Sequence, residues 1–538
     1  MKAYIYKTKK YIIAQILWDL VGVVCLAISP LLQQWLFDYG LESSFITILQ
    51  LIAAYFALLF FYTLSQYFCI LFSFKGGIKF EKLLKRDFFS TVFNMEPSKF
   101  YNHAIGEYIS LQGNDITALE QDYLQPIISI VRCVNMMIVY GIVVFVGVDW
   151  RIALVIILTS IFAILIPRLI GKALTCARSV YQEQLAEYVT VITDLLEGFR
   201  VINQITVKKI RDKHEDVLNE TAEKRYLYGK KKSLVLGMSE LMTKIVKIFT
   251  FAVVAILFYK KEITVGTGVA TLSYVSSFIE PIDSILYNIT TIQSMKDVKQ
   301  KVLSYIQINQ VSTLPKKKVL KSEISLENVT FKREKFALEN VNLTIKKGMK
   351  YAVVGQSGSG KSTLLKLMMG YEKENSGIIK VDGENIRKYD ISELISYTDQ
   401  NEHIYRAGLE DNITVFGSYD ENDISSVQKN IQSEIFEELF KRREEECHCF
   451  SGGEKQAVAF LRMVAKNAEI ILLDEPFSAM DTKTKSAVEH YLFTGKEFKD
   501  KTVLVVTHDI RKESLSWYDG IIRVEDTSIY IDNQSRIA

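Results

Sequence analysis

The run from Gly355 to Thr363 reads Gly-Gln-Ser-Gly-Ser-Gly-Lys-Ser-Thr, the spacing G-x-x-x-x-G-K-[ST] of a phosphate-binding P-loop. Gly355, Gly358 and Gly360 let the backbone curl so that its N–H groups face a triphosphate. Lys361 would reach the β- and γ-phosphates, and Ser362 would bind Mg²⁺. Ser357, Ser359 and Thr363 complete the candidate phosphate contacts. The motif needs a strand before it and a helix after it. Tyr351 to Val354 is apolar and β-branched, and Leu364 to Met369 is rich in helix formers. A helix beginning there adds the positive end of its dipole to the anion site.

Four further stretches downstream fit the same chemistry. Ile470-Ile-Leu-Leu-Asp-Glu475 is an apolar strand that ends in two carboxylates. Asp474 would hold Mg²⁺ directly or through water, and Glu475 would polarise the attacking water as general base. Val503-Leu-Val-Val-Thr-His508 is a second buried strand. Its His508 is placed to contact a γ-phosphate, although a lone strand-end histidine is more often structural. Gln400 follows Ile395 to Asp399 at a strand exit, where it would sense Mg²⁺ and water. Phe450-Ser-Gly-Gly-Glu-Lys-Gln456 opens another helix, and Ser451, Gly452 and Gly453 make a second anion-binding helix start. Two phosphate sites in one domain make sense if two copies meet head to tail, each nucleotide lying between the P-loop of one and the Ser451 segment of the other.

The elements that must carry these residues divide in two. At 538 residues the chain has length for roughly three or four domains of ~150 residues. A net charge of +3 gives no signal for nucleic acid or an acidic partner. A mean hydropathy of +0.12 beside 24% charged residues indicates part membrane and part soluble character. Cys25, Cys69, Cys133 and Cys176 lie in or beside apolar helical stretches and read as packing residues. Cys447-His448-Cys449 has the wrong spacing for a zinc site, and no disulfide framework is implied.

Apolar runs near Tyr11–Leu31, Phe45–Phe72, Ile127–Val148, Ile152–Ile170, Ile245–Phe258 and Gly266–Leu286 predict six membrane spans. Lys2, Lys7, Lys9 and Lys10 argue for a cytoplasmic N-terminus. Lys260 and Lys261, on an outer turn, run against that trend without overturning the count. The gaps after spans two and four are long and polar, so helices are expected to continue well beyond the membrane on the cytoplasmic side. Gly106 to Thr117 and Glu197 to Gln204 are the expected tips of those helix pairs, either as short contact helices or as plain solvated bends. Asp19 and Arg132 are ionisable residues inside spans. The bland reading has Asp19 wet near a helix end and Arg132 snorkelling to the interface. Glu280 and Asp283 flank Pro281 and mark an expected kink. Gln307 to Ser322, with Pro315 and Lys316 to Lys318, reads as a linker. From about Ile324 strands and helices alternate, as in an α/β domain on a largely parallel sheet.

Together these motifs resemble an ABC transporter half-subunit of the exporter type. Gly355 to Ser362 is similar to the Walker A motif, Phe450 to Glu454 to the ABC signature and Leu472 to Glu475 to Walker B. Ser478 to Asp481 resembles the D-loop, Gln400 the Q-loop and His508 the H-loop. Gly106 to Asp115 and Gly198 to Ile202 look like the two intracellular loops. The resemblance implies a multi-domain fold: an all-α six-helix transmembrane domain over residues 1–306, a linker over 307–322, and an α/β P-loop (RecA-like) ATPase domain with a helical subdomain over 323–538. It implies ATP and Mg²⁺ as ligands and Glu475, His508 and Gln400 as catalytic residues. The partners implied are a second half-transporter, identical or a sister subunit, the lipid bilayer of a bacterial plasma membrane, and a small-molecule or peptide cargo. The N-terminus and ATPase domain would be cytoplasmic.

The departures from the family pattern are Phe450 for Leu and Glu454 for Gln in the signature, a short segment from Gln400 to Phe450, and Arg333 where an aromatic residue usually stacks on adenine. Arg333 would stack through its guanidinium plane, or Phe336 would substitute. The expected function is ATP-driven export of a small peptide, a lipid-like molecule or an amphipathic compound. Only some ten residues precede the first span, so a leader-processing protease domain is not expected. An importer of a small chelate and an ATP-gated regulator without transport are the rival readings.

Overall fold

A computed structural model describes residues 1–101, 103–307, 314–333, 336–400, 402–420, 424, 427, 430–431, 433–525 and 528–532. It divides into two compact units. The first holds Met1–Phe93 with Ile105–Ile308, the second Asn94–Ala104 with Asn309–Ala538.

The first unit is helical. Among its described residues lie six long helices: α1 (Lys2–Tyr39), α2 (Phe45–Phe93), α4 (Ile105–Gly147), α5 (Trp150–Glu197), α6 (Val207–Tyr259) and α7 (Val265–Ser294). Each contains one of the six apolar runs. A helix of 49 residues such as α2 extends ~74 Å at ~1.5 Å per residue, more than twice the ~30 Å hydrocarbon core. The long gaps are therefore helix that continues out of the apolar run. The most apolar window of α2 has no buried residue within the chain, as a surface made for lipid or for a partner requires. Thr264 caps α7 by accepting from the Thr267 N–H at 3.1 Å. At the same end Asp38 accepts from the Gly266 N–H at 2.8 Å, tying α1 to the start of α7. A short helix, α8 (Lys296–Gln307), follows.

Two expectations are corrected here. Gly106 to Thr117 is not a tip: it lies inside α4, and a Cβ on Gly106 or Gly113 would meet nothing, so neither glycine serves a turn. The break falls earlier, at α3 (Pro97–Phe100), where Pro97 takes the first helical position that tolerates its missing N–H. The second tip is where it was expected, as a 3₁₀ turn over Gly198–Val201. Asp19 is neither wet nor alone. It is 3% exposed, and its Oδ1 lies 3.1 Å from Arg132 Nε. Pro281 lies within α7, and the side chain of Asp283 falls outside the described residues, as does much of the 307–322 linker.

The second unit carries two sheets. β1 (Glu323–Arg333), β2 (Phe336–Lys346), β4 (Ser376–Val381) and β5 (Glu384–Asn385) form an antiparallel sheet in the order β2-β1-β4-β5. β3 (Lys350–Val354), β6 (Ile395–Thr398), β7 (Ile470–Asp474), β8 (Thr502–Val506), β9 (Gly520–Glu525) and β10 (Ser528–Asp532) form the other, in the order β10-β9-β3-β8-β7-β6. The five neighbouring strands from β9 to β6 are parallel, and β10 closes the edge antiparallel. β7 and β8 are buried at every position, which explains their unbroken apolar runs. One core joins both sheets to α9 (Lys361–Met368) through Leu338, Val353, Leu364 and Leu504. A second core packs α10 (Leu409–Thr414), α11 (Glu434–Lys441) and α12 (Gly452–Lys466) against the other face of β7 and β8 through Leu409, Phe436, Phe460 and Leu473. Within this unit Tyr101, just past α3, packs on Tyr371 with ring centroids 6.3 Å apart.

Candidate nucleotide site

The site assembles at the carboxyl ends of adjacent parallel strands. β3 delivers the P-loop, β7 delivers Asp474 and Glu475, β8 leads to His508 and β6 leads to Gln400. Parallel neighbours end on one edge, so residues over a hundred positions apart converge.

Gly358 at φ +80° and Gly360 at φ +105° occupy backbone regions open to glycine, and Gly360 caps α9. A Cβ on Gly360 would also clash with the Phe336 ring, which lies directly against the loop. Lys361 is folded back: its Nζ donates to the carbonyl oxygens of Gly355 at 2.9 Å and Gln356 at 2.8 Å. Burial pushes its ammonium below the usual range, and Glu475 and Asp474 pull the other way. Ser359 Oγ is buried and has no hydrogen-bond partner among the described residues. A buried hydroxyl without a partner, beside an ammonium held by its own loop, fits a cradle for an anion.

Asp474 is 5% exposed. Burial pushes its carboxyl above the ordinary range, and a hydrogen bond from the Ser362 hydroxyl opposes this. Ser362, Asp474 and Gln400 offer oxygen donors of the kind a hard divalent cation takes. Glu475 sits in a left-handed backbone conformation at φ +48°. Its Oε2 accepts from Gln400 Nε2 at 3.0 Å, and its Oε1 lies 2.6 Å from His508 Nε2. Three of the candidate catalytic residues thus form one connected cluster. Tyr397, whose hydroxyl approaches Asp474 Oδ2 at 3.5 Å, was not singled out from the sequence. Its position two residues before Asp399, on a strand facing β7, was the only signal.

Arg333 and Phe336 face each other across the β1–β2 pair. The Arg333 guanidinium reaches Glu372 Oε1 at 3.3 Å and is largely exposed, while Phe336 joins the core beside the P-loop.

Ser451, Gly452 and Gly453 stand in a second cluster. Ser451 caps α12, and Glu454 completes a capping box by accepting from the Ser451 N–H at 2.7 Å. Arg442 meets both departures from the family signature: its Nη1 lies 2.7 Å from Glu454 Oε1, and its guanidinium stacks 4.5 Å from the Phe450 ring. Ser451 lines an open cavity with Ser433, Glu434, Glu438, Glu454 and Asp481, and no P-loop residue is among its described lining. Within one chain, the two candidate anion sites therefore do not share a cavity.

The family model for the ABC transporter transmembrane region matches residues 12–282, and the ABC transporter model matches residues 338–478. The chain belongs to the ABC transporter family. It is an integral membrane protein with the architecture of an exporter-type half-transporter, its helical domain followed by an ATP-binding ATPase domain. The ATP-dependent lipid A-core flippase of Vibrio parahaemolyticus serotype O3:K6 (strain RIMD 2210633) is 26% identical over 470 residues, covering 83% of this chain and 79% of the flippase. The protein of the same description from Pectobacterium atrosepticum is 24% identical over 462 residues, covering 83% of this chain and 78% of its own. A bacterial Atm1-family ABC exporter solved with ATP bound has the same fold, with a TM-score of 0.78 at 18% identity over 97% of this ABC transporter and 94% of that one.

Proposed function

We propose that this ABC transporter works as a dimer that exports an amphipathic, lipid-like compound at the expense of ATP. The observation that carries the reading is the separation of the two anion sites. The P-loop cluster holds Lys361, Asp474, Glu475, Gln400 and His508, while Ser451, at the start of its own helix, lines a different cavity. A head-to-tail pair brings the second cluster of each copy over the first cluster of the other.

In this arrangement Lys361 leaves the loop carbonyls for the β- and γ-phosphates, and Ser357, Ser359 and Thr363 add hydroxyl contacts beside the backbone N–H groups of Gly355, Gly358 and Gly360. Ser362, Asp474 and Gln400 hold Mg²⁺, which neutralises phosphate charge when bound. Glu475 orients water and takes its proton, with His508 fixing the carboxylate and contacting the γ-phosphate. Arg333 releases Glu372 and stacks on adenine. The segment around α3 packs with the ATPase unit through Tyr101 and continues directly into α2 and α4, so it transmits closure of the ATPase domains to the spans. The lipid-like cargo is favoured by the flippase relatives. The N-terminus and ATPase domain face the cytoplasm of the bacterial cell, as the lysines before the first span indicate.

The test is ATPase activity of the purified chain in lipid nanodiscs, wild type beside Glu475→Gln, with oligomeric mass read on the same sample. Turnover by a dimer is expected, with a loss of at least ~100-fold in the variant and ATP binding retained. An active monomer, or a variant that turns over like wild type, refutes the reading.

A further inference from the structure

The helical unit holds a partly open cavity of about 380 Å³ bordered by α1, α2, α4 and α7. Gln15 and Asp19 of α1, Gln125, Ser129 and Arg132 of α4, and Asn288 of α7 line it. Such a polar set is costly within apolar helices and calls for an occupant or a purpose. Asp19 is 3% exposed, and its Oδ1 lies 3.1 Å from Arg132 Nε. Even so, neither carboxylate oxygen receives an aligned hydrogen bond among the described residues. The close contact balances charge and leaves the acceptor capacity of Asp19 unused, which is expensive in a buried carboxylate. The Arg132 side chain is 41% exposed, so its guanidinium remains open to the cavity. Asn288 is already committed, donating to Ser129 Oγ at 3.0 Å and to the Ser284 carbonyl at 2.8 Å, and so holds that wall in place.

A zwitterion can satisfy both ends by bringing N–H donors to Asp19 and an anion to Arg132, so that each exchanges its contact with the other for one with the ligand. Asp122, a second carboxylate on the lining, adds to the attraction for the cationic end. We propose that this cavity takes the head of a zwitterionic amphiphile, with a primary ammonium on Asp19 and an adjacent phosphate on Arg132. Its volume falls within the ~300–1,000 Å³ of small-molecule pockets and suits a polar head whose acyl chain stays outside. The inference rests on the reading of an amphipathic cargo and narrows its chemistry.

The test uses the full chain in detergent with three lysophospholipids that share one acyl chain, scored as bound adducts by native mass spectrometry. Lysophosphatidylethanolamine supplies ammonium N–H donors and phosphate. Lysophosphatidylcholine has the phosphate with a quaternary nitrogen that lacks N–H, and lysophosphatidylglycerol has the phosphate without a cation. Wild type is expected to retain the ethanolamine lipid ~10-fold better than either of the others. Asp19→Asn removes that preference, and Arg132→Gln weakens retention of all three. Ser129→Trp places an indole in the cavity and alters neither charged residue, so it keeps the test decisive should Asp19→Asn not fold; it too is expected to abolish the preference. Equal retention of the three lipids by wild type, or a preference that survives Ser129→Trp, overturns the proposal. ATPase turnover measured on the same preparation separates the two levels: an active chain without headgroup preference loses this site alone, whereas an inactive chain loses the transport reading and the adduct masses still decide the site.

Discussion

At the scale of single residues, the resting posture of Lys361 is the most informative feature. Its ammonium spends two hydrogen bonds on the carbonyls of Gly355 and Gln356, which a phosphate must outcompete. An ion pair to phosphate in a partly buried loop is stronger than two neutral acceptors, so the exchange favours binding. Lys361→Ala is expected to weaken ATP affinity by ~10- to 100-fold, as two to three charge-assisted contacts are lost. Equilibrium binding of a fluorescent ATP analogue checks this, and an unchanged affinity removes the lysine from the phosphate site. The types and order of Lys361, Asp474, Glu475, Gln400 and His508 were legible in the sequence, because phosphate chemistry allows few substitutes. Their posture was not. Nothing in the sequence around Glu475 announces a left-handed backbone, or that Gln400 and His508 both reach its carboxylate. Those facts come from strands that pair across long separations.

At the scale of elements, the entry into the ATPase domain is pinned by one carboxylate. Asp382, at φ +53° in the turn between β4 and β5, accepts from the Lys321 N–H at 3.0 Å and the Ser322 N–H at 2.8 Å, and pairs with Lys317 Nζ at 2.9 Å. Burial works against ionisation, but the Lys317 ammonium and the two N–H donors prevail and hold the carboxyl down at about 2. A carboxyl whose native pKa lies below its unfolded value stabilises the fold above the unfolded pKa, near 3.8, and loses that contribution as pH falls toward about 2. Asp382→Asn keeps a residue that tolerates the left-handed turn and is expected to cost about 1 kcal/mol at neutral pH after solvent screening. Thermal melts of both proteins across pH should show the gap at neutrality and its closure in acid; a gap that widens in acid contradicts the assignment. The helices and strands themselves were legible from apolar periodicity, since burial on one or both faces dictates it. The tips were less so. Gly106 to Thr117 was an expected tip, yet helix continues through it, and the helix breaks before Pro97 instead. A glycine permits a turn, whereas a proline at a first helical position enforces a start.

At the scale of the whole molecule, a six-helix domain and an ATPase domain on one chain were foreseeable from the alternation of long apolar runs and short β-branched strands. The pairing of Asp19 with Arg132 was not, because they are 113 positions apart and belong to different helices. The cargo was equally out of reach, since aromatic and aliphatic residues serve packing, lipid and ligand alike. The central claim is that each ATP is held by two copies of the chain. It is tested most directly with mixed dimers in the Glu475→Gln background, isolated through two tags, in which one copy carries Lys361→Ala and the other Ser451→Arg. Head-to-tail geometry places both defects in one site and leaves the other site intact. The account predicts that the mixed dimer retains ATP after washing while either uniform dimer retains none. Mixed dimers that hold no more ATP than the uniform ones would contradict it.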